Sequence, residues 1–276
     1  MPETKMGYVT VAPGVELFYR EAGSGTPLVL VPGWTFSSEI FIRQLEMLSD
    51  SYRVIAIDPR SQGRSTKTAV GNSYGIHGHD LGVAIEELGL GQVVLVGWST
   101  GCLESFAMVR AHGVQRLKGF IGIDMSPKAL SSDSSDWVEG TIEEMAEVST
   151  DILGSAERQR EFVEFYAREV MVQRELTEEE LAWITGISLQ TPTWVASALW
   201  GNAMLANYLK AAAVMDEEVP SLYVVAEHWA DTAKQFLQQH MPRTAVEVLG
   251  GHMMFWEHPK AFNRIVDTFV RRHAGG

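Results

Sequence analysis

Residues 93–106 read VVLVGWSTGCLESF, and no other stretch of the chain constrains its fold as strongly. The apolar run up to Trp98 has the length and β-branched content of a buried strand, whereas the residues after Ser99 suit a helix. Between them stands Gly97-Trp98-Ser99-Thr100-Gly101, a G-x-S-x-G pentapeptide. Glycines on either side of the serine let the backbone pass through a tight, strained turn. That turn lifts the hydroxyl above the sheet and sets the next amide at a helix N-terminus. A serine in such a pattern can also be a plain helix cap. The strand-turn-helix setting points instead to a nucleophile at Ser99.

The same strand-helix unit recurs along the chain. YVTVAPGVELFYREAG alternates as two short strands about a Pro13-Gly14 turn. PLVLVP, YRVIAID and LKGFIGID read as buried strands, separated by helices expected over 37–50, 73–89 and 99–111. Residues 137–215 carry helical periodicity and acidic faces but no convincing strand. The Ser/Asp cluster at 131–136 leads into them. VPSLYVVAE, DTAKQFLQQH, TAVEVLG and a helix near 259–273 then restore the alternation. The expected organisation is an α/β core in two parts, 1–127 and 216–276, with a helical cap inserted over 128–215. Alternation of this kind implies a largely parallel sheet covered by helices on both faces.

A serine hydroxyl is a weak nucleophile at neutral pH and needs a base within hydrogen-bond reach. His252, in VEVLGGHMMFWEHP directly after the last strand, is the best placed; His258 beside Pro259 instead starts the terminal helix. His77 and His79, two residues apart, do not share a helical face, and no Cys or carboxylate cluster of ligand type lies beside them, so no metal site is expected.

The order of these elements and motifs resembles the α/β-hydrolase superfamily over nearly the whole chain, particularly bacterial arylesterases and cofactor-free haloperoxidase-like esterases. Besides GWSTG and GGHMMFWEHP, LVLVPGWTFSSEIF is similar to the family's His-Gly-x oxyanion segment and IDPRSQGRST to its Asp-x-x-Gly-x-Gly-x-Ser loop. Two positions depart: Pro32 stands where a histidine is usual, and Gln62 where a histidine or threonine is common. The resemblance implies an α/β-hydrolase fold, with a mostly parallel eight-stranded sheet flanked by helices and an inserted cap. It assigns the oxyanion hole to the backbone N–H groups of Trp34 and Thr100. Donors so aimed stabilise the tetrahedral oxygen by about 3 kcal/mol each.

The family's usual acid follows the penultimate strand. There VVAEHWADT offers Trp229 at the expected spacing, with Asp231 two residues later and Glu227 as a third option. Some family members, including haloalkane dehalogenases and cofactor-free quinoline dioxygenases, carry the acid one strand earlier, which corresponds to Asp124 at the end of FIGID. Asp124 is the preferred choice. Its task is to hold the histidine tautomer and stabilise the imidazolium without taking the proton.

The leading functional expectation is a cytoplasmic serine hydrolase acting without a cofactor on a small, largely apolar ester, thioester or lactone. Phe36, Trp98, Met125 and Met253 flank the catalytic positions and are expected to line the substrate pocket. Two other readings stand beside it: a cofactor-free dioxygenase of heteroaromatic substrates, and a hydrolase-like ligand receptor. The dioxygenases place histidines where this chain has Phe36 and Trp98. The charge balance, 22 Lys plus Arg against 35 Asp plus Glu for a net −13, opposes long-range attraction to nucleic acid or anionic membranes. A lone cysteine, Cys102, excludes an intrachain disulfide and fits a reducing compartment, and the N-terminal MPETKMGYVTVAPG lacks the pattern of a signal peptide. The expected partner is a small-molecule substrate, and a homo-oligomer is compatible with the sequence.

Overall fold

The apolar run at 93–98 forms strand β5 (Val93–Trp98), buried at every position. Side chains alternate across a strand, so Val93 and Leu95 join one hydrophobic core while Val94, Val96 and Trp98 join another on the opposite face. Full burial of such side chains on both faces contributes about 1.5–3 kcal/mol each. That is the reason the central strands read as continuous apolar runs rather than alternating ones. A computed structural model describes residues 3–133 and 136–274. Ser134 and Ser135, part of the cluster expected to lead into the cap, lie outside the described residues.

Eight strands form one sheet in the order β1-β2-β4-β3-β5-β6-β7-β8. Strands β1 (Lys5–Ala12) and β2 (Val15–Ala22) make the antiparallel hairpin, and β2 pairs antiparallel with β4 (Arg53–Ile57). From β4 onward every pairing is parallel, through β3 (Pro27–Val31), β5, β6 (Leu117–Ile123), β7 (Ser221–Val225) and β8 (Ala245–Val248). The sheet is thus the mostly parallel α/β-hydrolase sheet that the motifs imply.

Helix α1 (Ile42–Leu48) lies on the face that receives Val94 and Val96, helices α2 (Tyr74–Glu87) and α3 (Thr100–His112) on the other. The chain turns to one side of the sheet after β3 and to the other after β4. The adjacent ends of β3 and β5 therefore flank a topological switch point, where α/β sheets open a crevice.

The excursion after β6 builds helices α4 (Ile142–Glu147), α5 (Ala156–Tyr166), α6 (Glu178–Ser188), α7 (Thr193–Met204) and α8 (Leu209–Glu218). Reciprocal capping boxes start α4 (Thr141 with Glu144) and α6 (Thr177 with Glu180), and the Ser155 hydroxyl accepts from Arg158 N–H at the start of α5. The core resumes with β7, α9 (Ala230–His240), β8, a short α10 (Met254–Glu257) and α11 (Pro259–His273). Helix α8 packs on α3, and its Ala212 and Met215 are buried with the core. At the neck of the excursion Lys128 pairs with Asn207, and Tyr208 N–H donates to Pro127 O at 2.9 Å. We therefore propose that the cap spans 128–207, with α8 returned to the core layer, instead of ending at 215. Among the described residues no helix is long and apolar enough to cross a membrane.

Candidate active site

Ser99 sits between the carboxyl end of β5 and the first turn of α3, with φ +52° and ψ −127°. That conformation is costly for a residue with a Cβ and marks the elbow as a strained turn. The turn closes only because its neighbours are glycines. A Cβ on Gly101 would meet Val31 O at 2.3 Å, one on Gly97 would meet Gly101 O at 2.6 Å, and one on Gly33 would meet Ser99 Cβ at 2.9 Å. Thr100 is the first residue of α3, so its N–H has no carbonyl one turn back and is free to face an anion.

The Gly33-Trp34 turn follows β3, the strand beside β5, and its closure is carried by Phe36 N–H donating to Gly33 O at 3.1 Å. Gln62, the departure noted in the Asp-x-x-Gly loop, holds this turn in place. Its Oε1 accepts from Thr35 N–H at 2.9 Å and its Nε2 donates to Phe36 O at 3.0 Å. The cap ties down the same turn: the hydroxyls of Thr35 and Ser188 lie 2.6 Å apart, and Thr191 Oγ1 donates to Thr35 O at 2.9 Å. Trp34 and Thr100 both line the cavity beside Ser99.

His252 stands in the loop after β8, where Gly250 adopts φ +54°, a value glycine takes without strain. The imidazole is buried between Trp98 and Tyr166, with ring centroids 5.5 and 5.9 Å away, and Trp98 Nε1 donates to His252 O at 2.9 Å. Its Nδ1 lies 2.7 Å from Asp124 Oδ2. Asp124, at the end of β6, is fully buried, and its other oxygen accepts from Ala226 N–H and Trp229 Nε1, both at 2.7 Å. Three donors around one carboxylate hold it in position. Asp231 and Glu227 are exposed, and Glu227 accepts instead from Gln173 Nε2 at 3.1 Å. Trp229, the residue at the usual acid's spacing, turns back to brace the carboxylate that stands one strand earlier.

Ser99, His252, Phe36, Trp98 and Met125 meet around a cavity beneath the cap. Met253 does not line it, contrary to the sequence expectation. Its N–H donates to Met171 O at 2.7 Å, and its side chain is buried in the core cluster beside α10. Neighbours in a turn face different ways, so adjacency to His252 did not carry Met253 into the pocket. Met171 takes part instead, at the end of a π-helical turn over Ala167–Met171. The remaining histidines lie elsewhere: His77 pairs with Glu104 at 3.0 Å between α2 and α3, and His79 stacks on His112.

The cap supplies Phe162 and Tyr166 from α5, Trp200 and Met204 from α7, and Glu139 from the segment before α4. None of these was legible as a site residue. A helix's apolar stripe marks a buried face without saying whether a core or a cavity lies against it.

Glu139 is half-buried as a residue, but its Oε1 is shielded from solvent. Burial pushes its carboxyl up from 4.5 to about 7. The nearby His252 pulls it down, Asp124 adds to the rise, and the Ser126 N–H pulls it down. The folded chain thus holds this proton more tightly than the unfolded chain does. The stabilisation is complete below 4.5 and is lost as pH rises toward 7. Glu139→Gln, which cannot ionise, is expected to melt roughly 5 °C above the parent at pH 8, with the gap shrinking toward pH 5. Thermal melts across that range check it, and a gap that stays constant with pH would contradict the assignment.

The sheet order, the serine elbow and the histidine loop together define an α/β-hydrolase. The chain belongs to that family, since the family model for the alpha/beta hydrolase fold matches residues 26–259. It is similar to a non-heme haloperoxidase from Rhodococcus erythropolis, 36% identical over 132 residues that make up 48% of each chain. It is also similar to a bifunctional esterase/perhydrolase from Acinetobacter calcoaceticus, 38% identical over 99 residues, 35% of this chain and 36% of that one. The chain spans about half the length, or less, of these curated relatives. Among solved structures, a bromoperoxidase from Bacillus anthracis matches with TM-score 0.86 at 20% identity, covering 98% of this chain and 100% of that one. An esterase from Exiguobacterium antarcticum gives TM-score 0.86 at 20% identity, covering 96% and 98%. At such identity the likeness speaks for the fold.

Proposed function

We propose that this protein is a serine hydrolase that cleaves small, largely apolar carboxylic esters, thioesters or lactones through an acyl-enzyme on Ser99. The observation that carries the reading is the 2.7 Å contact of His252 Nδ1 with Asp124, on a histidine that lines the same cavity as the strained Ser99. With Nδ1–H committed to the carboxylate, Nε2 is left as the acceptor and can take the serine proton. Ser99 Oγ adds to the carbonyl carbon, and the carbonyl oxygen becomes an anion facing the amides of Trp34 and Thr100. Collapse breaks the acyl–oxygen bond, and the imidazolium returns its proton to the departing alcohol. Water, activated by the same histidine, then repeats the addition and frees the acid and Ser99.

The aromatic and thioether lining suits an apolar acyl group. Phe36 and Trp98 line the cavity at the positions where the dioxygenases carry histidines, which weighs for hydrolysis over oxygen chemistry. The test is labelling with a fluorophosphonate followed by mapping of the modified peptide. An adduct on Ser99, absent in Ser99→Ala, is the expected result; a folded protein that yields no adduct overturns the proposal. Turnover of a hydroxyquinolone-like substrate in air that ceases without oxygen would select the dioxygenase reading, and tight binding without turnover the receptor reading.

A further inference from the structure

Glu139 lines the cavity beside His252, and its buried Oε1 has no hydrogen-bond partner among the described residues. The stem enters from the cap's first segment, where Glu139 N–H donates to Ala129 O at 2.9 Å and anchors the backbone. Asp124 and His252 lie close enough to act on the carboxyl electrostatically, and Glu139 in turn acts on Tyr166 of α5. The catalytic sequence above uses no second carboxyl. A polar atom withdrawn from water and left unpaired is unfavourable, more so when charged; the carboxyl relieves this below about 7 by keeping its proton, and above it by accepting from a donor that a ligand brings. Among the described residues the cavity lining contains no lysine or arginine, so a substrate carboxylate would find no lysine or arginine counterpart there.

Resting on the hydrolase reading, we propose that Glu139 is a specificity-determining residue that selects esters or lactones bearing a hydroxyl or N–H donor on an otherwise apolar frame, and that rejects anionic ones. Phe162, Trp200 and Met204 give the frame its apolar contacts, and Oε1 takes the donor hydrogen. Discrimination of this kind is strong because the analogue lacking the donor leaves the buried acceptor unpaired again.

The test compares 4-nitrophenyl butyrate with 4-nitrophenyl 3-hydroxybutyrate on the parent protein, Glu139→Leu and Glu139→Gln. At pH 8, where the Glu139 carboxyl is ionised, the hydroxylated ester is expected to have the higher kcat/KM in the parent by about 10-fold, the scale of one hydrogen bond to a charged acceptor. Glu139→Leu is expected to erase the preference, and Glu139→Gln, which keeps an acceptor oxygen of the same shape, to retain part of it. The monosuccinyl ester is expected to be slower than the butyryl ester in the parent, with the difference shrinking in Glu139→Gln. A ratio unchanged within about twofold between parent and Glu139→Leu, both labelling at Ser99, overturns the proposal.

Binding of the matched anilides, butyranilide and 3-hydroxybutyranilide, is followed by the fluorescence of the tryptophans lining the cavity and needs no turnover. Tighter binding of the hydroxylated anilide to the parent, lost in Glu139→Leu, supports the assignment even if esters prove not to be substrates. Equal binding of the two anilides by the parent overturns it. Failure of labelling and turnover together, with the anilide preference intact, refutes only the hydrolase reading.

Discussion

Ser99→Ala is expected to lower kcat on an activated ester by about 10⁵- to 10⁶-fold, leaving the residual rate that an oxyanion site and binding alone sustain. The size follows from the proposed mechanism, in which without Oγ no acyl-enzyme forms and His252 has nothing to deprotonate. Stability is expected to move the other way when the backbone strain is released. At φ +52° any side chain with a Cβ is strained, alanine included, whereas glycine is not. Ser99→Gly is therefore expected to be as inactive as Ser99→Ala yet more stable by about 1 kcal/mol. Parallel melts and progress curves of the two variants test both halves. Retained turnover in either variant would remove Ser99 from the mechanism. Equal melting of the two would mean that the elbow holds no strain worth releasing.

The second large effect is expected at Asp124. An asparagine there keeps the shape but offers either an oxygen or an NH₂ to the imidazole. With Oδ1's position engaged by Ala226 N–H and Trp229 Nε1, the carbonyl oxygen is best kept on that side and the NH₂ faces Nδ1. Nδ1 must then accept, Nε2 carries the proton, and the histidine cannot act as a base toward Ser99. Asp124→Asn is expected to lower kcat/KM by about 10⁴-fold with a near-parental melting temperature, while Asp231→Asn stays within about twofold. Because Asp231 is exposed and it is Asp124 that contacts the histidine, near-normal turnover of Asp124→Asn would reverse this assignment.

The contrast between these carboxylates shows where sequence reading runs out. Ser99 was legible because its chemistry needs a local backbone shape, and local shapes leave local signals: two glycines, an apolar strand before and a helix after. His252 was legible for a related reason, standing after the last strand in a Gly-Gly turn. The choice between Asp124 and Asp231 was not local. It depends on which strand end lies beside the histidine loop, and only the pairing β6-β7-β8 decides that. Trp229 was visible as an oddity at the acid's usual spacing, but its bond to Asp124 spans 105 residues of chain and leaves no mark in either neighbourhood.

The cap shows the same limit more strongly. Its helices are expected over 128–215, and the proposed earlier boundary at 207 rests on the packing of α8 on α3 and on the Lys128–Asn207 neck, contacts that no composition change marks. The turn that holds His252 faces Met253 into the core, and no local signal separates Glu139 from the other acidic residues near it.

The amino-acid sequence by itself determined the strands, the elbow and the turn that carries His252, because strand burial, turn geometry and helix periodicity are enforced by residues a few positions apart. Tertiary structure alone decided which carboxylate contacts His252, how Gln62, Ser188 and Thr191 hold the Gly33-Trp34 turn, and that Glu139 lines the cavity beside Ser99. Those are contacts between segments far apart in the chain, set by where the whole chain packs and not by any local preference.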